Sequence, residues 1–190
     1  QIISQLGDRL WQMALIGFIP SDTPGSGMQL AKLLSFTILP VFLIGPVAGV
    51  YVDRWDRRRT MYASDILRTV MTLFIPLFLF SGDSRGLIYL LIFFIFSIGR
   101  FFVPAKLSII PQIVKKEDLL ISNSLVNITG MIAAVAGFGI GGLIVEYFGA
   151  KGGFYLDAAS FFVSATLIFL ISSDKVTKIN LGQMGREIVE

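Results

Sequence analysis

Gly49-Val50-Tyr51-Val52-Asp53-Arg54-Trp55-Asp56-Arg57-Arg58-Arg59 is the stretch that decides the fold. It closes a 20-residue run without a single charge, Leu33 to Val52. One acid, Asp53, follows, and then the arginines Arg54, Arg57, Arg58 and Arg59. At ~1.5 Å per residue, an uncharged run of that length covers the ~30 Å hydrocarbon core of a bilayer. Arginines gathered at its edge mark the cytoplasmic side. The reading is a membrane-spanning helix that ends in a cytoplasmic loop.

The other residues agree with it. Hydrophobic side chains make up 54% of the 190 residues and charged ones 15%, with a mean hydropathy of +0.76. A soluble domain carries roughly 25% charged residues, so the chain reads as an integral protein of the lipid bilayer. The sequence has no Cys and no His, which excludes disulfides, thiolate metal sites and imidazole chemistry. No metal or cofactor is expected. An enzyme is not expected either, because no clustered acid pair at one depth replaces the missing His and Cys. The net charge of +3 flanks apolar spans and forms no soluble basic face, so nucleic acid is excluded as a partner. The chain begins at Gln1 without a Met, as a fragment starting inside a helix reads.

Working outward from the 53–59 loop, six spans emerge. Leu33–Val52 and Leu119–Val145 are uncharged, while about 1–20, 60–81, 86–107 and 153–173 hold one or two charges each. Turn-rich links join them at 21–27, 81–86 and 148–153. The remaining links are basic: 53–59, and Lys106 through Lys115 and Lys116. With 53–59 cytoplasmic, that side holds Arg54, Arg57, Arg58, Arg59, Lys106, Lys115, Lys116, Lys175, Lys178 and Arg186. The opposite side holds only Lys32, Arg85 and Lys151. This positive-inside bias places both ends of the segment in the cytoplasm. Gly45-Pro46-Val47-Ala48-Gly49 in span two is echoed by Gly137 to Gly142 in span five, on helices of opposite direction. The echo predicts an all-α integral membrane fold of six transmembrane helices, arranged as two inverted three-helix repeats.

Charges inside the spans are the candidate pathway residues. Asp8 and Arg9 interrupt span one, and Arg100 interrupts span four. Counted from the outer helix ends, Asp8 lies ~18 Å and Arg100 ~21 Å inward, so an Asp8–Arg100 pair is geometrically allowed. Arg68 lies at a similar level and competes for Asp8. Embedded ionisable groups usually pair or face a cavity, which makes Asp8 and Arg100 substrate or proton pathway candidates. Asp157, only ~6 Å from the outer edge by the same count, reads as interfacial. Asp65 and Arg68, three apart, read as structural support for the 53–59 loop. Span five places Asn123, Asn127, Gly130, Ala134, Gly137 and Gly141 on one face. Asn127 joins the pathway candidates, and Gly130, Gly137, Gly141 and Gly142 are helix-packing glycines that let backbones approach.

The 49–59 stretch resembles the Gly-x-x-x-Asp-Arg-x-Gly-Arg-Arg/Lys loop of major facilitator superfamily transporters, through Gly49, Asp53, Arg54, Arg57 and Arg58. Asp56 stands where that motif has a second Gly, a departure similar to the macrolide and enterobactin exporter branch. Ser64-Asp65-Ile66-Leu67-Arg68, Ser4-Gln5-Leu6-Gly7-Asp8 and Phe102-Val103-Pro104-Ala105 carry the same resemblance. Gly137 to Gly142 resemble the antiporter motif, with Phe138 where that motif often has Pro. The resemblance implies the amino-terminal half of a twelve-helix facilitator: residues 1–173 as a six-helix bundle, 174–190 as the start of a central cytoplasmic linker, and a missing carboxy-terminal half. It implies proton-coupled efflux of a drug-like or siderophore-like small molecule by alternating access, in the plasma membrane of a bacterium, with Gly49, Asp53, Arg54, Arg57 and Arg58 as a cytoplasmic gate.

Two other readings stand beside it. The membrane domain of an ATP-driven exporter has helices reaching far into the cytoplasm and a nucleotide-binding domain. Here the loops are short, and no Gly-x-x-x-x-Gly-Lys-Ser/Thr occurs. A non-transporting membrane scaffold has no use for the embedded charges.

Overall fold

The computed structural model describes residues 2–18, 25–80 and 85–170. The turns expected at 21–27 and 81–86 lie largely outside those residues, and the 174–190 linker lies wholly outside them. Every regular element among the described residues is helical: α1 (Ile2–Phe18), α2 (Ser26–Leu43), α3 (Gly45–Val52), α4 (Arg57–Phe80), α5 (Arg85–Ile113), a 3₁₀ turn (Lys116–Asp118) and α6 (Leu119–Leu170). Four of the helices are long and apolar enough to cross a membrane: Ser26–Leu43, Arg57–Phe78, Gly86–Gln112 and Lys116–Leu170.

Two breaks shape these helices. Pro46, with no N–H to offer and a ring that crowds the preceding turn, divides α2 from α3 at Ile44 (φ −100°, ψ −30°). The larger break is Gly149, whose φ of 70° and ψ of 173° interrupt α6. Only glycine takes that backbone region without steric cost. The turn expected over 148–153 is thereby reduced to one residue, because helix resumes at once.

Packing contacts give the two arms of α6 opposite directions. On the first arm, a Cβ added at Gly130 would meet Gln5, one at Gly137 would meet Arg9 and Leu6, and one at Gly141 would meet Leu10 and Met13. Both sets of numbers rise together, so this arm runs parallel to α1. On the second arm, Gly153 lies against Ala14, while Asp157 and Ser160 lie against Gly7. There the numbers run oppositely. α1 therefore sits between the two arms, held close by glycines on both sides. Gly130, Gly137 and Gly141 lie against α1, whereas a Cβ at Gly142 meets nothing within 4 Å. Gly45 and Gly49, their counterparts in the echo, also meet nothing within 4 Å.

One end of the bundle is filled by Trp11, Ala14, Leu15, Leu33, Ile75, Ile88, Ile92, Ile95 and Phe154. Trp11 stands edge-on to Phe96 (5.0 Å) and Phe154 (6.0 Å). A second cluster, Val52, Met61, Phe102, Ala105, Ile109 and Ile168, ties α3, α4, α5 and the end of α6 together. α5 continues through Pro104 and Pro111 to Ile113, as helices in a bilayer can once neighbours satisfy the freed backbone. Lys106, expected in a loop, is consequently a helix residue.

Candidate functional site

Between the two apolar clusters, a cavity of ≈ 170 Å³ opens among α1, α4, α5 and the second arm of α6. Charged side chains crowd its wall: Asp8 and Arg9 from α1, Arg68 from α4, Arg100 and Lys106 from α5, and Asp157 from α6. Trp11, Phe96, Phe102 and Phe161 supply aromatic surface beside them.

Arg68 is the centre of the arrangement. Its guanidinium forms an ion pair with Asp8 across sixty residues of sequence and lies 3.6 Å from Asp65, three residues back on its own helix. Its Cζ stands 3.8 Å above the Phe161 ring, a cation–π placement favoured by Arg. Gly99 faces it, and a Cβ there would lie at ordinary contact distance, 3.8 Å from Arg68 Cζ. The Arg68 side chain is 7% exposed and the Asp8 side chain 41%, while Asp65 is wholly buried. A buried arginine needs carboxylates of this kind.

The contact that forms is thus Asp8–Arg68 rather than Asp8–Arg100. Arg100 turns back on its own helix and donates from Nε to the Phe96 carbonyl at 3.4 Å. Asp157 corrects a second expectation, since it is wholly buried on the cavity wall rather than interfacial. The count from the helix end gives a depth and not a face, and the packing of the second arm against α1 turns Asp157 inward beside Gly7. A signal was present: Gly153, Asp157, Ser160 and Ser164 recur at four, three and four residues, a small and polar face. Arg68, expected to support the 53–59 loop, instead serves the cavity. Asn127 is exposed on the first arm of α6 and does not line the cavity.

The 53–59 loop forms a separate site. Asp56, the departure from the resembled motif, accepts from the backbone N–H of Arg59 at 2.8 Å, while its carbonyl receives the N–H of Thr60 at 2.9 Å. It is the N-cap of α4. Arg58 donates to the terminal carbonyls of α6, from Nε to Ile168 O at 3.1 Å and from Nη2 to Phe169 O. A cation there satisfies orphan acceptors and opposes the helix dipole. Arg57 donates to the Gln112 amide oxygen on α5, and Trp55 stacks on Phe101 at 5.9 Å. Asp53 and Arg54 are exposed, and neither side chain has an ion-pair partner among the described residues.

Comparison with known proteins assigns the chain to a family. The sequence profile of the Major Facilitator Superfamily matches residues 2–187. The chain belongs to that superfamily. It is 28% identical over 174 residues to the uncharacterized MFS-type transporter YfiS of Bacillus subtilis, covering 92% of this chain and 41% of that protein. It is 30% identical over 169 residues to YkuC, a second uncharacterized MFS-type transporter of B. subtilis, covering 88% and 39%. Macrolide efflux protein A of Streptococcus pyogenes is 31% identical over 120 residues, covering 63% of this chain and 29% of its own length. The chain thus spans about two fifths of the length of the first two relatives. No solved structure matches it. Membership and the apolar helices together make this a multi-pass membrane protein of a transporter family.

Proposed function

We propose that the chain is the amino-terminal half of a facilitator that exports a small molecule from the bacterial cytoplasm across the plasma membrane by alternating access, coupled to protons. In this reading the six helices are α1, α2 with α3, α4, α5 and the two arms of α6, arranged as two inverted three-helix repeats, with both ends cytoplasmic. A second half, joined through a linker that begins near residue 174, closes the pathway. The observation that carries the reading is the charged cavity, enclosed by helices whose outer faces are apolar. Six ionisable groups at one site inside a bilayer protein are costly, and transport gives them a use. Kinship to a macrolide efflux protein favours export as the direction.

Gly49, Asp53, Arg54, Arg57 and Arg58 form the cytoplasmic gate in this proposal. Arg57 and Arg58 are engaged within the chain, which leaves Asp53 and Arg54 to meet the second half. Asp8 is the proton-carrying candidate because it is the cavity carboxylate most open to water. Uptake of at least one member of a panel of labelled amphiphiles, anionic and cationic, into inside-out vesicles of the encoded protein, driven by an imposed pH gradient and lost in Asp8→Asn at equal expression, is the expected result. Gradient-independent uptake would refute the coupling. For orientation, a cysteine replacing Gly27 should react with an impermeant reagent in intact cells, and one replacing Thr60 should not. The reverse pattern refutes the topology.

A further inference from the structure

We infer that the cavity receives the negatively charged end of an amphiphilic substrate, an oxyanion on an aromatic or apolar body, with Arg100 and Lys106 as its binding cations. The inference rests on the transport reading above and deepens it by assigning a substrate class.

It follows from how the charges of the wall are used. Four cations, Arg9, Arg68, Arg100 and Lys106, face two carboxylates, Asp8 and Asp157. Arg68 is taken by Asp8 and by Asp65 behind it. Arg9 donates to Gln12 at 3.1 Å and lies over the Phe138 ring at 5.2 Å. Arg100 makes one long bond to a carbonyl of its own helix. Lys106 has no side-chain hydrogen bond or ion pair among the described residues. Asp8 is the carboxylate whose field reaches both Arg100 and Lys106, yet it is already bonded to Arg68. The wall is therefore positive as it stands.

Arg100 and Lys106 both reach the cavity wall, about 9 Å apart along the axis of α5. Both are half-buried, where a cation without a counter-ion is unfavourable and a charge-assisted bond to an incoming oxyanion is strong. Buried donors in the same wall also lack acceptors, namely Trp11 Nε1 and Arg68 Nε. The free acceptors, Gln5 Oε1 and Asp157 Oδ2, suit a hydroxyl or a proton on the same ligand. Trp11, Phe96, Phe102 and Phe161 suit its apolar body.

Two xanthene dyes of similar size test the assignment: anionic fluorescein and cationic rhodamine 6G. Binding of each to the encoded protein in detergent is read by fluorescence anisotropy at fixed ionic strength. Fluorescein should bind more tightly. Arg100→Gln and Lys106→Gln should each weaken it by about tenfold while leaving rhodamine 6G unchanged or tighter. Arg100→Lys should retain most of the fluorescein affinity. Circular dichroism and gel filtration identify the folded variants, and Lys106→Gln with Arg100→Lys carry the test where Arg100→Gln does not fold. Preference for rhodamine 6G, no fluorescein binding by the folded protein, or unchanged fluorescein binding in Lys106→Gln would overturn the inference. Uptake of both dyes into proteoliposomes is read separately. Anion-selective binding without uptake would refute the transport reading and leave the charge preference standing.

Discussion

Two groups of arginines in this chain do opposite things with the same side chain. Those of the 53–59 loop sit at helix ends, where Arg58 meets the terminal carbonyls of α6 and Arg57 meets Gln112. Water and lipid headgroups screen them, so each contact contributes modestly. Arg68 and Arg100 sit between helices, where Arg68 is held by Asp8, Asp65 and the Phe161 ring. There a charge is costly without its partner. The loop arginines can thus be varied at small cost to stability, and the cavity arginine cannot.

That contrast breaks first at Arg68. Arg68→Met leaves Asp8, Asp65 and Asp157 without their main cation, and the expected loss is roughly 3–5 kcal/mol, seen as a large drop in melting temperature in detergent. Asp8→Asn should destabilise less, because Asp65 still faces Arg68. The double variant should recover much of the loss, giving a coupling energy of roughly 0.5–3 kcal/mol. A strictly additive double variant would remove Arg68 from the centre of the site.

Smaller effects belong to the loop. Asp56→Ala removes the N-cap of α4 and should cost about 1 kcal/mol. Arg58→Ala should cost about the same through its bonds to α6. A loss at Arg58 as large as that at Arg68 would erase the distinction between the two groups. Asp53→Asn is the smallest in stability, since the residue is exposed, and its melting temperature should match that of the parent. Its transport should nevertheless fall if the gate proposal holds. Normal efflux by Asp53→Asn at equal expression would reduce the whole loop to a set of helix caps.

Bulk on the α1 face offers a control unrelated to charge. A Cβ at Gly137 would lie 2.7 Å from Arg9 Cβ and 3.2 Å from the Leu6 carbonyl, whereas one at Gly142 meets nothing within 4 Å. Gly137→Val should therefore lower the yield of folded protein sharply, and Gly142→Val should not. Equal yields would mean that α1 does not seat against the first arm of α6 as described.

The sequence by itself determined the membrane setting, because an uncharged run of bilayer length needs no tertiary context to be read. It also determined the basic loop at 53–59, the turn around Gly149, and the candidacy of Asp8 and Arg100, since charges stand out against apolar helices. Tertiary structure alone decided which charges meet: Arg68 rather than Arg100 on Asp8, Asp157 and Lys106 brought to the cavity, Asn127 left outside it. In lipid the surface facing a neighbour is as apolar as the surface facing the bilayer, so hydropathy does not fix a helix's rotation. Each residue turns the face by about 100°, enough to move a side chain from cavity to lipid. What fixed the rotation of α1 was close approach at Gly7, Gly137 and Gly141, where backbones pack only in one register, and Asp8 and Arg68 were carried together by it.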